Sequence, residues 1–532
     1  MNAAEAPSRP NIVLVMVDDM GYSDIGAYGG EIETPNLDTL AKNGLRFRRF
    51  YNSGRCCPTR ASLLTGLHPH QAGIGHMTET PETPSPLEGE PYQGYLNQHC
   101  VTLAETLKQV GYHTLMSGKW HLGYHRKETW PLQRGFDRYF GILSGASHYF
   151  RPDGLRGLTR GNEPVEAPEG FYVTDGFTDA AMEFVDEVVA TDDRPFFLYL
   201  AYTAPHWPLH AKPEDLAKYE GRYASGWEAV AAERRARQVD LGLLDPAWTP
   251  APHEGPGWDT LDGEARRLQD LRMAAYAACV DSVDQNIGRL MARLKALGVY
   301  ENTLFLFLTD NGACAEGGIL GSGNERSVRQ PLTSKGTGGP RVGRVWANVS
   351  SAPFRLYKHY VHEGGMATPM IVHWPQGIPE SRRGQWEESF GYLPDIMPTL
   401  LELAGGAYPG VRKGAPIHPM AGVSMVPWLT GDPEGPIHPE PVFWEHEGNR
   451  AMRDGPWKLV WAGDGPWELF HLERDGTEAH DLSGQEPGRF MAMRRQWESW
   501  ARRTGVQFQN SFSYYEMIRR YREEGIAADS GE

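Results

Sequence analysis

Five cysteines in 532 residues, at positions 56, 57, 100, 279 and 314, are too few and too scattered for a disulfide framework, and no C-x-x-C pair suggests zinc. No run of 18 apolar residues occurs, which excludes a membrane-spanning helix. The opening decapeptide, MNAAEAPSRP, lacks the basic and apolar regions of a secretory signal. A cytoplasmic location is therefore expected, or a periplasmic or secreted one if a signal has been removed. Positive charge is also in deficit, with 52 Lys and Arg against 68 Asp and Glu and a net charge of −16. Such a surface repels phosphate backbones, so neither nucleic acid nor a membrane is expected as a partner. No repeat of fixed period is found.

What is present is ordinary globular material, 40% hydrophobic and 23% charged. Gly (61) and Pro (40) together approach about a fifth of the chain, which implies many shaped turns and loops. Continuous apolar runs that end in polar residues read as buried parallel strands: Ile12–Val17, Phe196–Tyr202, Leu304–Leu308 and Met370–His373. Between them, Tyr276, Val280, Val283, Ile287, Leu290, Leu294 and Leu297 fall on one face of a helix. Thr102–Val110 reads as another, stopped by Gly111. Strands alternating with helices predict an α/β fold with a large, mostly parallel sheet. Residues 205–262 and the Gly/Ser-rich residues 311–350 interrupt the alternation, and so long a loop is usually functional. After about residue 430 the pattern changes to Trp457–Trp461, Trp467–Leu472 and a helix near Arg489–Arg503. That predicts a catalytic domain over 1–430 and a smaller C-terminal domain, antiparallel sheet plus helix, over 431–532.

In open α/β sheets, ligands bind outside the carboxyl ends of the strands. Two such ends carry oxygen-rich pairs, Asp18-Asp19 and Asp310-Asn311. Together they suit Ca²⁺ or Mg²⁺; taken singly, each suits a helix cap or a turn equally well. Cys56, Cys57 and Pro58 open a helical turn in YNSGRCCPTRASLLTG, where the helix N-terminus favours anions and a reactive thiol. The alternative is a buried structural cysteine.

The pattern Cys56-x-Pro58-Thr59-Arg60 resembles the signature of type I sulfatases in the alkaline-phosphatase-like superfamily, where the first cysteine is oxidised to Cα-formylglycine. RPNIVLVMVDDMGYSDIGAYG is similar to that family's first metal-binding strand, and GKWHLG to its second signature, with Lys119 and His121. APHWP supplies His206, TDNG supplies Asp310 and Asn311, and RLYK supplies Lys358. The segments EIETPNLDTLA, GIGHM and HWPL look closest to bacterial arylsulfatases. The resemblance implies an arylsulfatase-type sulfuric ester hydrolase acting on a small-molecule sulfate ester. Its metal ligands would be Asp18, Asp19, Cys56, Asp310 and Asn311, around Ca²⁺ with Mg²⁺ or Mn²⁺ admissible. Its catalytic groups would be Cys56, Arg60, Lys119, His121, His206 and Lys358, with a formylglycine hydrate as nucleophile, His206 as general acid and His121 as base. A formylglycine-generating maturation enzyme is an implied transient partner. Trp207, Trp346 and Tyr357 lie beside these motifs and suit either an aromatic pocket or packing. His68, His70 and His76 lie near the nucleophile motif, where the sequence does not separate a ligand from a structural role; a substrate contact is one reading of His76, and none of the three is assigned to the site. The competing readings are a formylglycine-dependent phosphonate monoester or phosphodiester hydrolase and an inactive sulfatase-like binding protein.

Overall fold

The computed structural model describes residues 9–78, 87, 89–334, 339–431, 433–463 and 465–508. The decapeptide's first eight residues and Lys335–Gly338 of the Gly/Ser-rich stretch lie outside them. Among the described residues no helix is long and apolar enough to cross a membrane.

The architecture is α/β. Eleven strands form one mixed sheet: β1 (Asn11–Asp18), β2 (Leu45–Tyr51), β3 (His113–Lys119), β4 (Arg138–Ile142), β5 (Leu158–Arg160), β6 (Glu163–Val165), β7 (Phe196–Pro205), β8 (Thr303–Thr309), β9 (Ala367–His373), β10 (Trp386–Glu387) and β11 (Gly391–Tyr392). Their order is β10-β2-β9-β8-β1-β7-β3-β4-β5-β6, with β11 also on β2. The centre, β8-β1-β7-β3-β4, is parallel. β9 was expected to be parallel as well, but it runs antiparallel to both β8 and β2. An apolar run records burial on two faces; it does not record direction.

Successive residues of β1 feed opposite layers, because side chains alternate across a strand. Val13, Val15 and Val17 pack in one core with the long helix Gly263–Ala296, and Ile12, Leu14 and Met16 pack in a second. Both faces being covered explains why the sequence is continuously apolar there. Helix Leu103–Gln109 has the expected position, held at its start by a Thr102–Glu105 capping box. The interruption at 205–262 folds into helices Pro213–Tyr219 and Trp227–Asp240, the latter pinned where Arg234 meets Asp24 at 2.7 Å and Glu31 at 2.7 Å.

A two-stranded ribbon, β12 (Val411–Arg412) and β13 (Ala415–Pro416), precedes the separate C-terminal antiparallel sheet of β14 (Val442–His446), β15 (Asn449–Asp454), β16 (Trp457–Trp461) and β17 (Trp467–His471). One face of that sheet, with Trp444, Ala451, Val460 and Phe470, joins the main core. Its other face, with Met452, Leu459 and Leu469, packs on Trp497 and Trp500 of helix Pro487–Thr504.

Candidate functional site

Strand register builds the site. Val17 of β1 pairs with Thr309 of β8, Asp18 with Pro205 of β7, and Gly118 of β3 with Ala201 of β7. The residues at or just past these ends, Asp18, Asp19, Lys119, His206, Asp310 and Asn311, therefore emerge at one level. Gly118 makes the approach of β3 to β7 possible: its φ is +116°, and a Cβ there would lie 1.9 Å from the carbonyl oxygen of Ala201.

Helix Cys56–Thr65 begins at Cys56 and is buried along its whole length. One turn on, the fully buried Arg60 donates through Nη2 to Asp310 Oδ2 at 2.8 Å and through Nη1 to the Lys119 carbonyl at 3.0 Å. Lys119 Nζ donates to Asp18 Oδ2 at 2.5 Å. Lys358 enters from a loop and reaches Asp19, with Nζ 2.7 Å from Oδ1. His206 donates through Nδ1 to the Trp207 carbonyl, 2.6 Å away, which leaves Nε2 facing Asp19 Oδ2 at 3.5 Å. Neutral His206 is fixed by this contact as the tautomer protonated on Nδ1, because a carbonyl only accepts.

Three buried carboxylates (Asp18, Asp19, Asp310) thus face three cationic side chains (Arg60, Lys119, Lys358). The balance is uneven. Burial and the nearby Asp310 carboxylate push Asp18 well above the usual carboxylate range, against the pull of Lys119. Burial alone would raise Asp19, but Lys358 and His206 bring it down to about 2. Two buried oxygens, Asp18 Oδ1 and Asn311 Oδ1, have no hydrogen-bond partner. Two orphaned acceptors among three buried carboxylates, one of them held far from its comfortable charged state, fit a hard divalent cation with oxygen ligands. Asn311 donates from Nδ2 to Asp19 Oδ1 at 2.7 Å, which orients its own oxygen.

The Cys56 thiol occupies the position where formylglycine is expected. It lies with Cys57 and His121 in a buried group whose Sγ and ring-nitrogen atoms are all within 4.8 Å of one another. A hydrogen bond from Cys57 draws the Cys56 thiol well below its ordinary pKa, helped by Lys119 and His121 against burial. Burial pushes His121 down to about 4, so it is a neutral base at pH 7. Gly145 packs close against its ring: a Cβ there would stand 2.6 Å from His121 Cε1.

All expected site residues therefore belong to one buried cluster. The neighbouring aromatics separate. Trp207 sits beside His206 under the Arg341 guanidinium, 4.0 Å from its ring centroid, and Tyr357 donates to Glu254 at 2.8 Å. Trp346 is core, packed edge-on against Trp227 and Trp258. His68 packs on Trp500, and His70 pairs with Glu445 at 2.7 Å. Sequence reading missed Tyr199, whose hydroxyl is 3.3 Å from Arg60 Nη1, and Glu316, which lies 3.5 Å from Arg55 and 3.8 Å from Lys358. Tyr199 lies inside an apolar strand and Glu316 in a Gly-rich loop, and no spacing signals either.

Comparison with known proteins bears on this cluster. The sulfatase family model matches residues 10–407. An uncharacterized sulfatase of Schizosaccharomyces pombe is 34% identical, over 95% of this chain and 96% of its own. The arylsulfatase of Klebsiella aerogenes is 36% identical, over 79% of this chain and 92% of its own. Among solved structures, Ps i-CgsB in complex with k-i-k-neocarrahexaose superposes with a TM-score of 0.69 at 27% identity, covering 98% of both chains.

Proposed function

The chain belongs to the sulfatase family, a family of sulfate ester hydrolases, and from that premise we propose that it cleaves aryl or related sulfate monoesters using a formylglycine formed at Cys56. The observation that carries the reading is the contact chain Lys358–Asp19, Lys119–Asp18 and Arg60–Asp310 beside Cys56 at the carboxyl ends of the central strands.

A divalent cation, calcium in our reading, held by Asp18, Asp19, Asp310, Asn311 and the residue-56 side chain, would supply charge neutralisation at the sulfate and acidify the attacking hydroxyl. The hydrate of formylglycine 56 would supply that hydroxyl. Lys119 and Lys358 hold sulfate oxygens, so the substrate's charge no longer repels the nucleophile. Arg60, locked by Asp310 and the Lys119 carbonyl, keeps residue 56 and the carboxylates in register. As general acid His206 acts in its imidazolium form, which burial disfavours and the Asp19 carboxylate 3.5 Å from Nε2 supports: the Nε2 proton passes to the departing oxygen while Nδ1–H stays on the Trp207 carbonyl, leaving the neutral tautomer. His121 removes the proton whose loss releases sulfate and restores the aldehyde. Trp207, stacked under Arg341, suits a flat leaving group beside His206.

Cys56 is 2% exposed, which supports a maturation enzyme acting before the fold closes. A division into 1–430 and 431–532 is supported by the separate core between the C-terminal sheet and its helix, residues 509–532 lying outside those described. Relative kcat/KM on an aryl sulfate and the matching aryl phosphodiester tests the substrate class. Preference for the sulfate supports the proposal; preference for the phosphodiester replaces it with the phosphodiesterase reading.

A further inference from the structure

The β14–β15 hairpin closes through two residues, Glu447 and Gly448, with His446 opposite Asn449. Hairpin tips usually lie in water. This one is inside the molecule, with His446 at 0% and Glu447 at 1% exposure. It meets the segment that carries Lys358 where Asn449 Nδ2 donates to the His359 carbonyl at 3.2 Å, and that segment meets the Cys56 segment where the His359 amide donates to the Gly54 carbonyl at 2.8 Å.

Three imidazoles from distant parts of the chain surround the Glu447 carboxylate. His359 Nδ1 is 2.8 Å from Oε2, while His76 Nε2 and His446 Nε2 are 3.4 Å and 3.7 Å from Oε1. One ligand atom from each of His359, His446 and Glu447 falls within 4.8 Å of the other two. Two ligands of a tetrahedral ion, each about 2.0–2.1 Å from it, stand about 3.3 Å apart. The three imidazole–carboxylate separations bracket that spacing, and His76, outside the mutually close trio, reaches the same carboxylate oxygen as His446. Neither ring nitrogen of the fully buried His446 has a hydrogen-bond partner. A buried polar nitrogen left without a partner is destabilising. A lone pair offered to a cation relieves that cost.

We propose that His76, His359, His446 and Glu447 form a second metal site, for a divalent transition ion of the zinc class. Three imidazoles and one carboxylate are a borderline-soft set, unlike the all-oxygen set at Asp18, Asp19, Asp310 and Asn311. With His359, His446 and Glu447 as the preformed trio and His76 closing the fourth position, no site is left open and the ion is structural. It ties the C-terminal hairpin to the two segments that flank the reaction centre. The proposal stands independently of the sulfatase mechanism.

The test uses full-length protein stripped by chelation, saturated with Ca²⁺ to fill the oxygen site, then titrated with Co²⁺ alone. One equivalent should bind with visible d–d bands, displaced by Zn²⁺ and lacking the thiolate charge-transfer band that Cys56, Cys57 and His121 would give. H446Q and E447Q should each weaken Co²⁺ binding at least about tenfold with far-UV circular dichroism unchanged. Absence of a tight cobalt site in the wild type, or the same bands in both variants, overturns the proposal. Should neither variant fold, anomalous scattering at the zinc edge from wild-type crystals grown in Zn²⁺ decides. A peak between His359, His446 and Glu447 is expected, and no peak there refutes the site.

Discussion

Replacing His206 with Gln removes the imidazole proposed as general acid, whose Nε2 faces Asp19 at 3.5 Å. The structure limits collateral damage. Asp19 keeps Lys358 at 2.7 Å and Asn311 at 2.7 Å, so its charge stays compensated without the imidazole. The loss should therefore track the leaving group. General acid catalysis contributes about 10²–10⁴-fold, equivalent to about 3–5 kcal/mol of barrier. H206Q should lose that much kcat/KM on sulfates of unactivated phenols or alcohols. It should lose less than about tenfold on a nitrophenyl sulfate, whose anion leaves unaided. The assay is kcat/KM for wild type and variant along a series of phenols of rising pKa, and the variant's dependence should be the steeper. Parallel lines, with one loss for every leaving group, would remove His206 from the acid role.

Other perturbations have equally definite outcomes. G145A sets a methyl 2.6 Å from His121 Cε1, so kcat should fall about 10²-fold at nearly constant KM, for about 1–3 kcal/mol of stability; an unchanged kcat contradicts the packing argument. Chelation should lower the melting temperature and activity together, and Ca²⁺ at about 100 times Kd should return about 2.7 kcal/mol of stability; a melting curve indifferent to chelator contradicts the oxygen site. Burial raises Asp284 from 3.8 to about 6 despite hydrogen bonds from the Leu37 and Asn36 amides. Because the folded pKa is the higher one, its contribution is complete below about pH 4 and is lost as pH rises through about 6, about 3 kcal/mol in all. D284N has no such titration, so urea unfolding at pH 4 and pH 7 should show wild type losing ground to the variant, and equal differences at both pH values refute this.

The central strands and both metal-type pairs were legible because burial on two faces leaves an unbroken apolar run that ends abruptly in Asp or Asn. The Cys56 motif was legible because its residues are consecutive. β9's direction was not, since the pairing partner decides it. Trp346 went to the core because Trp227 and Trp258, far away in sequence, were waiting there. The Arg60–Asp310 contact spans 250 positions, and only strand register makes it. The His76–His359–His446–Glu447 cluster draws on three distant segments and so has no linear signature.

The most direct test of the account is the mass of the tryptic peptide bearing Cys56, from protein made alongside a maturation enzyme active on a control, read together with the activity of C56A and C57A. The account predicts an aldehyde or its hydrate at position 56, an inactive C56A and a C57A that keeps both modification and turnover. An intact thiol at 56 in protein that nonetheless hydrolyses sulfate esters, or an active C56A, would contradict it.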